Sequence, residues 1–190
     1  MSQAFFDDKT FTKTDFTAQP LEKGTYENCT FTDCNFSGST FAGVSFAECV
    51  FTGCDLSMVK LPQTALRDVQ FKNCKLLGVH FHTCNNFLFA VSFENCILNL
   101  ASFYKLGMKK TRFTNCTLHE VDFTETDLAA AVFSDCDLAG AVFDQAMLEK
   151  ADLSGAYNYA IDPETNRIRK ARFALDGLPG LLLKYQVEIV

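Results

Sequence analysis

Large apolar side chains return at every fifth residue along most of this chain: Phe6, Phe11, Phe16, Leu21, Tyr26, Phe31, Phe36, Phe41, Phe46, Phe51, Leu56, Leu61, Leu66, Phe71, Leu76 and Phe81. After a two-residue slip the series resumes at Leu88 and continues through Phe93, Leu98, Phe103, Met108, Phe113, Leu118, Phe123, Leu128, Phe133, Leu138, Phe143, Leu148 and Leu153. Two positions ahead of nearly all of them stands a small or β-branched residue. All nine cysteines (Cys29, Cys34, Cys49, Cys54, Cys74, Cys84, Cys96, Cys116, Cys136) fall in that slot and are read as packing residues. A period of five fits neither the 3.6 of a helix nor the 2.0 of a long strand, and self-similarity at a fixed short period marks a solenoid. Positions twenty apart match best: Phe11, Phe31, Phe51 and Phe71 form one column, continued across the slip by Phe93, Phe113 and Phe133. Four repeats per coil predict a four-sided tube. Alternating Cβ directions then turn the large residue and the small one before it inward.

The unit small, Asp or Asn, Leu or Phe, polar, polar resembles the pentapeptide-repeat family. Its cleanest copies are Ala151-Asp152-Leu153-Ser154-Gly155 and Cys136-Asp137-Leu138-Ala139-Gly140. The resemblance implies an all-β fold, a right-handed quadrilateral β-helix whose coils lie about 4.8 Å apart. Residues 1–157 are expected to form this repeat domain, residues 158–174 a last irregular coil, and residues 175–190 a short helix and tail.

The slip falls within 82–90 and reads as a bulge in one wall, with Phe87 and Phe89 as candidate projecting contacts. The pattern loosens after Leu153 through Asp162, Pro163 and Asn166, which is turn chemistry, and returns in phase at Ile168 and Phe173. A helix entered near Asp176 and Pro179 is predicted next, weak by propensity because of its two glycines. It can cover the open end of the β-helix. Leu178, Leu181, Leu182, Leu183, Tyr185, Val187 and Ile189 form more apolar surface than a cap requires. A homodimer joined through Leu178, Leu181, Leu182, Tyr185, Val187 and Ile189 is therefore expected.

The run from Ala160 to Ile168, followed by Ala171-Arg172-Phe173 and by Leu181 to Ile189, is similar to the pentapeptide-repeat proteins that act on DNA gyrase. These are the quinolone-resistance (Qnr) family, the mycobacterial fluoroquinolone-resistance protein and the microcin B17 immunity protein. The resemblance implies a dimeric rod that mimics duplex DNA and binds a type II topoisomerase, DNA gyrase or topoisomerase IV. Many Qnr members carry long loops where this chain has only its slip.

Charge bears on that implication independently. Residues 113–155 hold nine carboxylates against Lys150 alone, a net of −8, whereas residues 1–112 and 156–190 each carry +1. Spread over roughly 10 Å of tube, this is about one net charge per Å, against one per roughly 1.7 Å in duplex DNA. The acidic surface expected to bind the enzyme comprises Glu120, Asp122, Glu125, Asp127, Asp135, Asp137, Asp144 and Asp152. Repeat grammar supplies part of it, since Asp122, Asp127, Asp137 and Asp152 hold the slot before the large residue, and the carboxylates fall on all four faces. A generic protein-binding scaffold is the alternative.

Other function classes fare poorly. A net charge of −6 and a pI near 5.0 argue against direct binding to nucleic acid or anionic membranes. No basic leader precedes an apolar run and no stretch has membrane-spanning length, so a cytoplasmic protein is expected. The Cys-x2-4-Cys spacing of zinc sites is absent. His80 and His82 flank Phe81 and should both face water; they are a candidate metal pair but read as solvent-facing residues, and no metal site and no cofactor is expected. A filled tube offers no cleft in which a nucleophile and a base converge, and enzyme activity is not expected. Lys105, Lys109, Lys110 and Arg112 form a basic cluster suited to an acidic partner surface.

Overall fold

The computed structural model describes residues 4–189. Residues 1–3 of the expected repeat domain and residue 190 of the expected tail lie outside the described residues. The chain winds into a β-solenoid with four walls, here called A to D in chain order. Wall A opens as a four-stranded sheet, from Ala4–Asp7 to Ala65–Arg67. Wall B is a nine-stranded sheet running from Thr10–Thr12 to Arg172–Phe173. Its nine levels span eight steps of about 4.8 Å, or about 38 Å. Walls C and D are joined mainly by single bridges such as Asn35 to Asp55 and His80 to Ser102, all parallel.

Register follows the twenty-residue comparison. On wall B, Phe11, Phe31, Phe51 and Phe71 pair in sequence, and Phe93, Phe113 and Phe133 continue the column. Successive rings stack with centroids 4.6–5.4 Å apart. Columns on adjacent walls meet edge to face, as Phe113 and Phe123 do at 6.0 Å and 84°. Offset and edge-on pairs are the geometries that the ring quadrupole favours. Phenylalanine is thus the natural occupant of a narrow tube in which identical side chains must repeat above one another.

The small slot turns inward too. All nine cysteines are buried and free. The thiols of Cys29, Cys34, Cys49, Cys54, Cys74 and Cys96 reach backbone carbonyls of the preceding coil, as Cys49 Sγ does to the Tyr26 oxygen at 3.3 Å and Cys54 Sγ to the Phe31 oxygen at 3.4 Å. Thr64 and Thr126 make the same bond with hydroxyls, to Phe41 and Phe103 at 3.0 and 2.8 Å. The slot therefore takes small side chains, Val and Ala as readily as Cys and Thr, and where the occupant has a donor it adds a hydrogen bond to a carbonyl of the preceding coil, as at Phe41, whose oxygen also accepts Val44 N–H at 2.9 Å. Burial pushes the Cys49 thiol up to about 11 and that of Cys84 to about 12.

Corners carry a conformational demand that the apolar rhythm does not reveal. The second residue after each inward position is commonly left-handed: φ is 53° at Asn28, Asp33, Asn73 and Asn95. Such a φ is unfavourable for most L-residues, and Asn and Asp tolerate it best. In return the corner N–H reaches the next coil, as Asp33 N does to the Thr52 oxygen at 2.9 Å.

The slip corrects one expectation. Ala65 bridges Asn85, twenty residues on, whereas Val69 pairs with Val91, twenty-two on, so the two extra residues lie on wall A between Asn85 and Val91. Leu88 is not a core position. It is 60% exposed at φ 58°, a corner residue, while Phe89 turns in against Phe81 at 6.4 Å.

Beyond Leu153, Tyr159 and Ile161 remain buried, and the buried Asn166 bridges the irregular coil. Its amide donates to the Phe143 and Asp162 oxygens and accepts from Ala146 N–H, at 2.9–3.0 Å. The expected terminal helix is realised as 3-10 turns, Leu175–Leu181 and Leu183–Tyr185, with Pro179 inside the first. Both glycines are there for contact. A methyl at Gly177 would fall on the Tyr159 hydroxyl and one at Gly180 on the Tyr159 carbonyl oxygen. The segment lies flat on Tyr159, and Ile161 N–H bonds the Gly180 oxygen at 3.0 Å. No helix among the described residues is long and apolar enough to cross a membrane.

Candidate interaction surfaces

The nine carboxylates of residues 113–155 divide into two groups. Asp122, Asp127, Asp137 and Asp152 precede inward residues, and each accepts the backbone N–H two residues on, at 2.9–3.2 Å. These carboxylates shape the turns, as Asx residues do. Asp127 and Asp152 also hold an ion pair between coils, and Asp137 has an imidazole beside it. Lys109 lies 3.2 Å from Asp127, Arg172 2.9 Å from Asp152, and His119 2.9 Å from Asp137. Partial burial pushes the Asp137 carboxyl up, but bonds from His119, Asn158 and the Ala139 N–H outweigh it, and the group titrates below its ordinary range. The Ser154 hydroxyl holds Asp152 low, with Arg172 adding to it. Glu125 is paired by Lys105 at 3.3 Å.

Lys105, Lys109 and Arg172 all come from outside the zone and each neutralises one carboxylate, so its net charge falls from −8 to −5. The same pairing takes two members out of the basic cluster. Glu120, Asp135, Asp144 and Glu149 make no ion pair among the described residues. They sit on walls C, B, D and A respectively, one to each wall, as a collar around the tube.

Two apolar surfaces stand apart from the collar. At the slip Phe87 is 72% exposed, so it projects, while Phe89 does not. On wall C, opposite, Met58, Leu77, Ile97 and Leu100 are exposed on successive coils, and the Met58 thioether lies over Gly78. Met58 and Leu100 share a corner column interrupted by Gly78, and Leu77 and Ile97 stand in neighbouring columns, so a comparison of positions twenty apart does not single the patch out.

The C-terminal segment forms the third surface. Leu181 packs on the last coil. Leu178, Leu182, Tyr185, Val187 and Ile189 are exposed. Lys184 clamps the segment by reaching Asp162 at 2.7 Å and Glu164 at 2.6 Å, and the Tyr185 hydroxyl donates to Glu164 at 2.6 Å. These bonds hold both carboxyls below their ordinary range and push Lys184 up.

Over most of its length the chain is similar to the solved structure of a trypsin-treated variant of QnrB1, a plasmid-mediated fluoroquinolone resistance protein. Identity is 19% over 98% of this chain and 100% of that one, with a TM-score of 0.51. It is also similar to HetL, a pentapeptide repeat protein involved in heterocyst differentiation regulation from the cyanobacterium Nostoc sp. strain PCC 7120. There identity is 16% over 90% of this chain and 86% of that one, with a TM-score of 0.53. Both likenesses are of fold. No curated protein matches the chain significantly in sequence. The family profile described as pentapeptide repeat region matches residues 24–86 and 87–156. The five-residue rhythm, the four-walled tube and this match agree: the chain belongs to the pentapeptide-repeat family.

Proposed function

We propose that this protein is a non-catalytic binding rod that occupies the duplex-binding surface of a type II topoisomerase, DNA gyrase or topoisomerase IV. The observation that carries the reading is the collar of Glu120, Asp135, Asp144 and Glu149. A duplex presents phosphate around its whole girth, and a tube with one unpaired carboxylate on each wall offers a basic channel the same kind of charge. The backbone hydrogen bonds between coils keep that collar rigid, so little entropy is lost on docking. The fold likeness to a fluoroquinolone resistance protein supports the same direction. The exposed apolar residues of the C-terminal segment support a two-fold homodimer, which would place two collars on one rod.

The test is gyrase supercoiling with the purified protein, with and without a fluoroquinolone, at low and moderate salt. Inhibition or drug rescue that weakens with salt and is lost in an Asp135→Lys, Asp144→Lys variant supports the reading. No effect on either enzyme at micromolar protein refutes it. A second reading, a scaffold for a different protein, is favoured by the apolar patch of Met58, Leu77, Ile97 and Leu100. Partner binding that is indifferent to salt and lost in Leu77→Ser would support that one.

A further inference from the structure

One polar cluster on the tube is used neither by the acidic collar nor by the C-terminal clamp. It lies on wall D, four to six coils along. His80 precedes and His82 follows the inward Phe81, and their exposed rings stand 5.3 Å apart, centroid to centroid, at 84°. Two imidazoles on one tetrahedral ion, with metal–nitrogen bonds of about 2.0–2.1 Å, have ring centres about 5 Å apart. The pair already stands at the spacing that a shared ion imposes.

The next coils fix one of the two rings. His82 Nδ1 lies 3.1 Å from the hydroxyl of the buried Ser102. That hydroxyl donates its single proton to Asp122 Oδ2 at 3.2 Å and also accepts from Tyr104 N–H at 3.4 Å. With its proton committed, Ser102 can only accept from His82, so Nδ1 carries a hydrogen. In the neutral ring the lone pair is then on Nε2, which has no protein partner among the described residues. A chain of carboxylate, hydroxyl and imidazole is the kind of outer-shell support that orients metal-binding histidines.

We propose that His80 and His82 bind one divalent transition-metal ion of the zinc class, through Nε2 of His82 and a ring nitrogen of His80. Ser102 and Asp122 act as positioning residues. Nitrogen donors select such ions over calcium and magnesium, which take oxygen. No group of three or more ligating side chains gathers among the described residues. The remaining coordination positions therefore go to water or to a ligand carried by another molecule, and the affinity is modest. This inference is independent of the topoisomerase reading.

The test is calorimetric titration of the full chain with zinc and with magnesium, joined to the electronic spectrum of the cobalt(II) form. One zinc ion per chain, no magnesium, and a cobalt spectrum without thiolate charge transfer are expected. His80→Gln and His82→Gln should each weaken binding about tenfold or more. Ser102→Ala should weaken it about tenfold with both ligands still present. Absence of saturable zinc uptake overturns the proposal. So does uptake that both glutamine variants leave unchanged, or a thiolate band, which would assign the ion to cysteine.

Discussion

Removal of one ring from the middle of the phenylalanine column should be far more damaging than removal of one from its end. Phe113 is fully buried, stacked between Phe93 at 5.2 Å and Phe133 at 4.8 Å, and edge-on to Phe103 and Phe123 at 6.1 and 6.0 Å. Phe→Ala in a core typically loses about 3–5 kcal/mol, and the spread depends on how far the site can collapse. Here collapse is blocked, because hydrogen bonds between coils hold the walls apart, and four aromatic partners are lost at once. Phe113→Ala should therefore lie at the top of that range, about 5 kcal/mol, a large part of the 5–15 kcal/mol that holds ordinary domains together. Phe11 is only half-buried, stacks on one side alone, against Phe31 at 4.9 Å, and stands edge-on to Phe16 and Tyr26 at 6.0 and 6.1 Å, so Phe11→Ala should lose less, about 2 kcal/mol. Because each coil touches only its neighbours, the central gap should also uncouple the two halves of the tube and broaden the transition. Equilibrium denaturation in guanidinium, followed by circular dichroism, measures both effects. Losses that are equal for the two variants, or a Phe113→Ala loss under about 1.5 kcal/mol, would refute the stacked-column account.

Further outcomes follow from other parts of the tube. Native protein should resist thiol alkylation at all nine cysteines, with nine labels appearing only in denaturant; rapid native labelling of Cys49 or Cys84 would contradict their burial. Gly180→Ala should push the C-terminal segment off Tyr159 and raise its protease sensitivity, while Leu182→Ala, at an exposed site, should not. Asp162 and Glu164 are held low by Lys184, so their contribution to the clamp is present above the ordinary carboxylate range and is lost as pH falls through their depressed values. Hydrogen exchange of residues 180–186 should accelerate below about pH 4, and a flat profile would count against the clamp.

The large-residue rhythm made the four walls legible because inward positions in a solenoid must repeat in chemistry as well as in spacing. Its failure at Leu88 has a definite cause. Counting back from Phe93 in fives lands on Leu88, but the two extra residues sit after that corner, so Leu88 belongs to the preceding turn and Phe89 takes the inward place. The charge reading missed the ion pairs for a related reason. Lys105 and Glu125, or Arg172 and Asp152, are twenty residues apart and stack directly, yet a net-charge count by segment separates the partners. Hydrogen-bond donation by the small slot and the left-handed corners depend on backbone geometry, which apolar spacing does not encode.

The central claim, that the rod stands in for a duplex, is tested most directly by competition. A fluorescent duplex bound to the DNA-binding subunits of gyrase would be titrated with this protein at two salt concentrations. The account predicts displacement of the duplex that weakens with salt and vanishes in the Asp135→Lys, Asp144→Lys variant. Binding of the protein to the enzyme with the duplex still in place, or displacement that the charge reversal leaves intact, would contradict it.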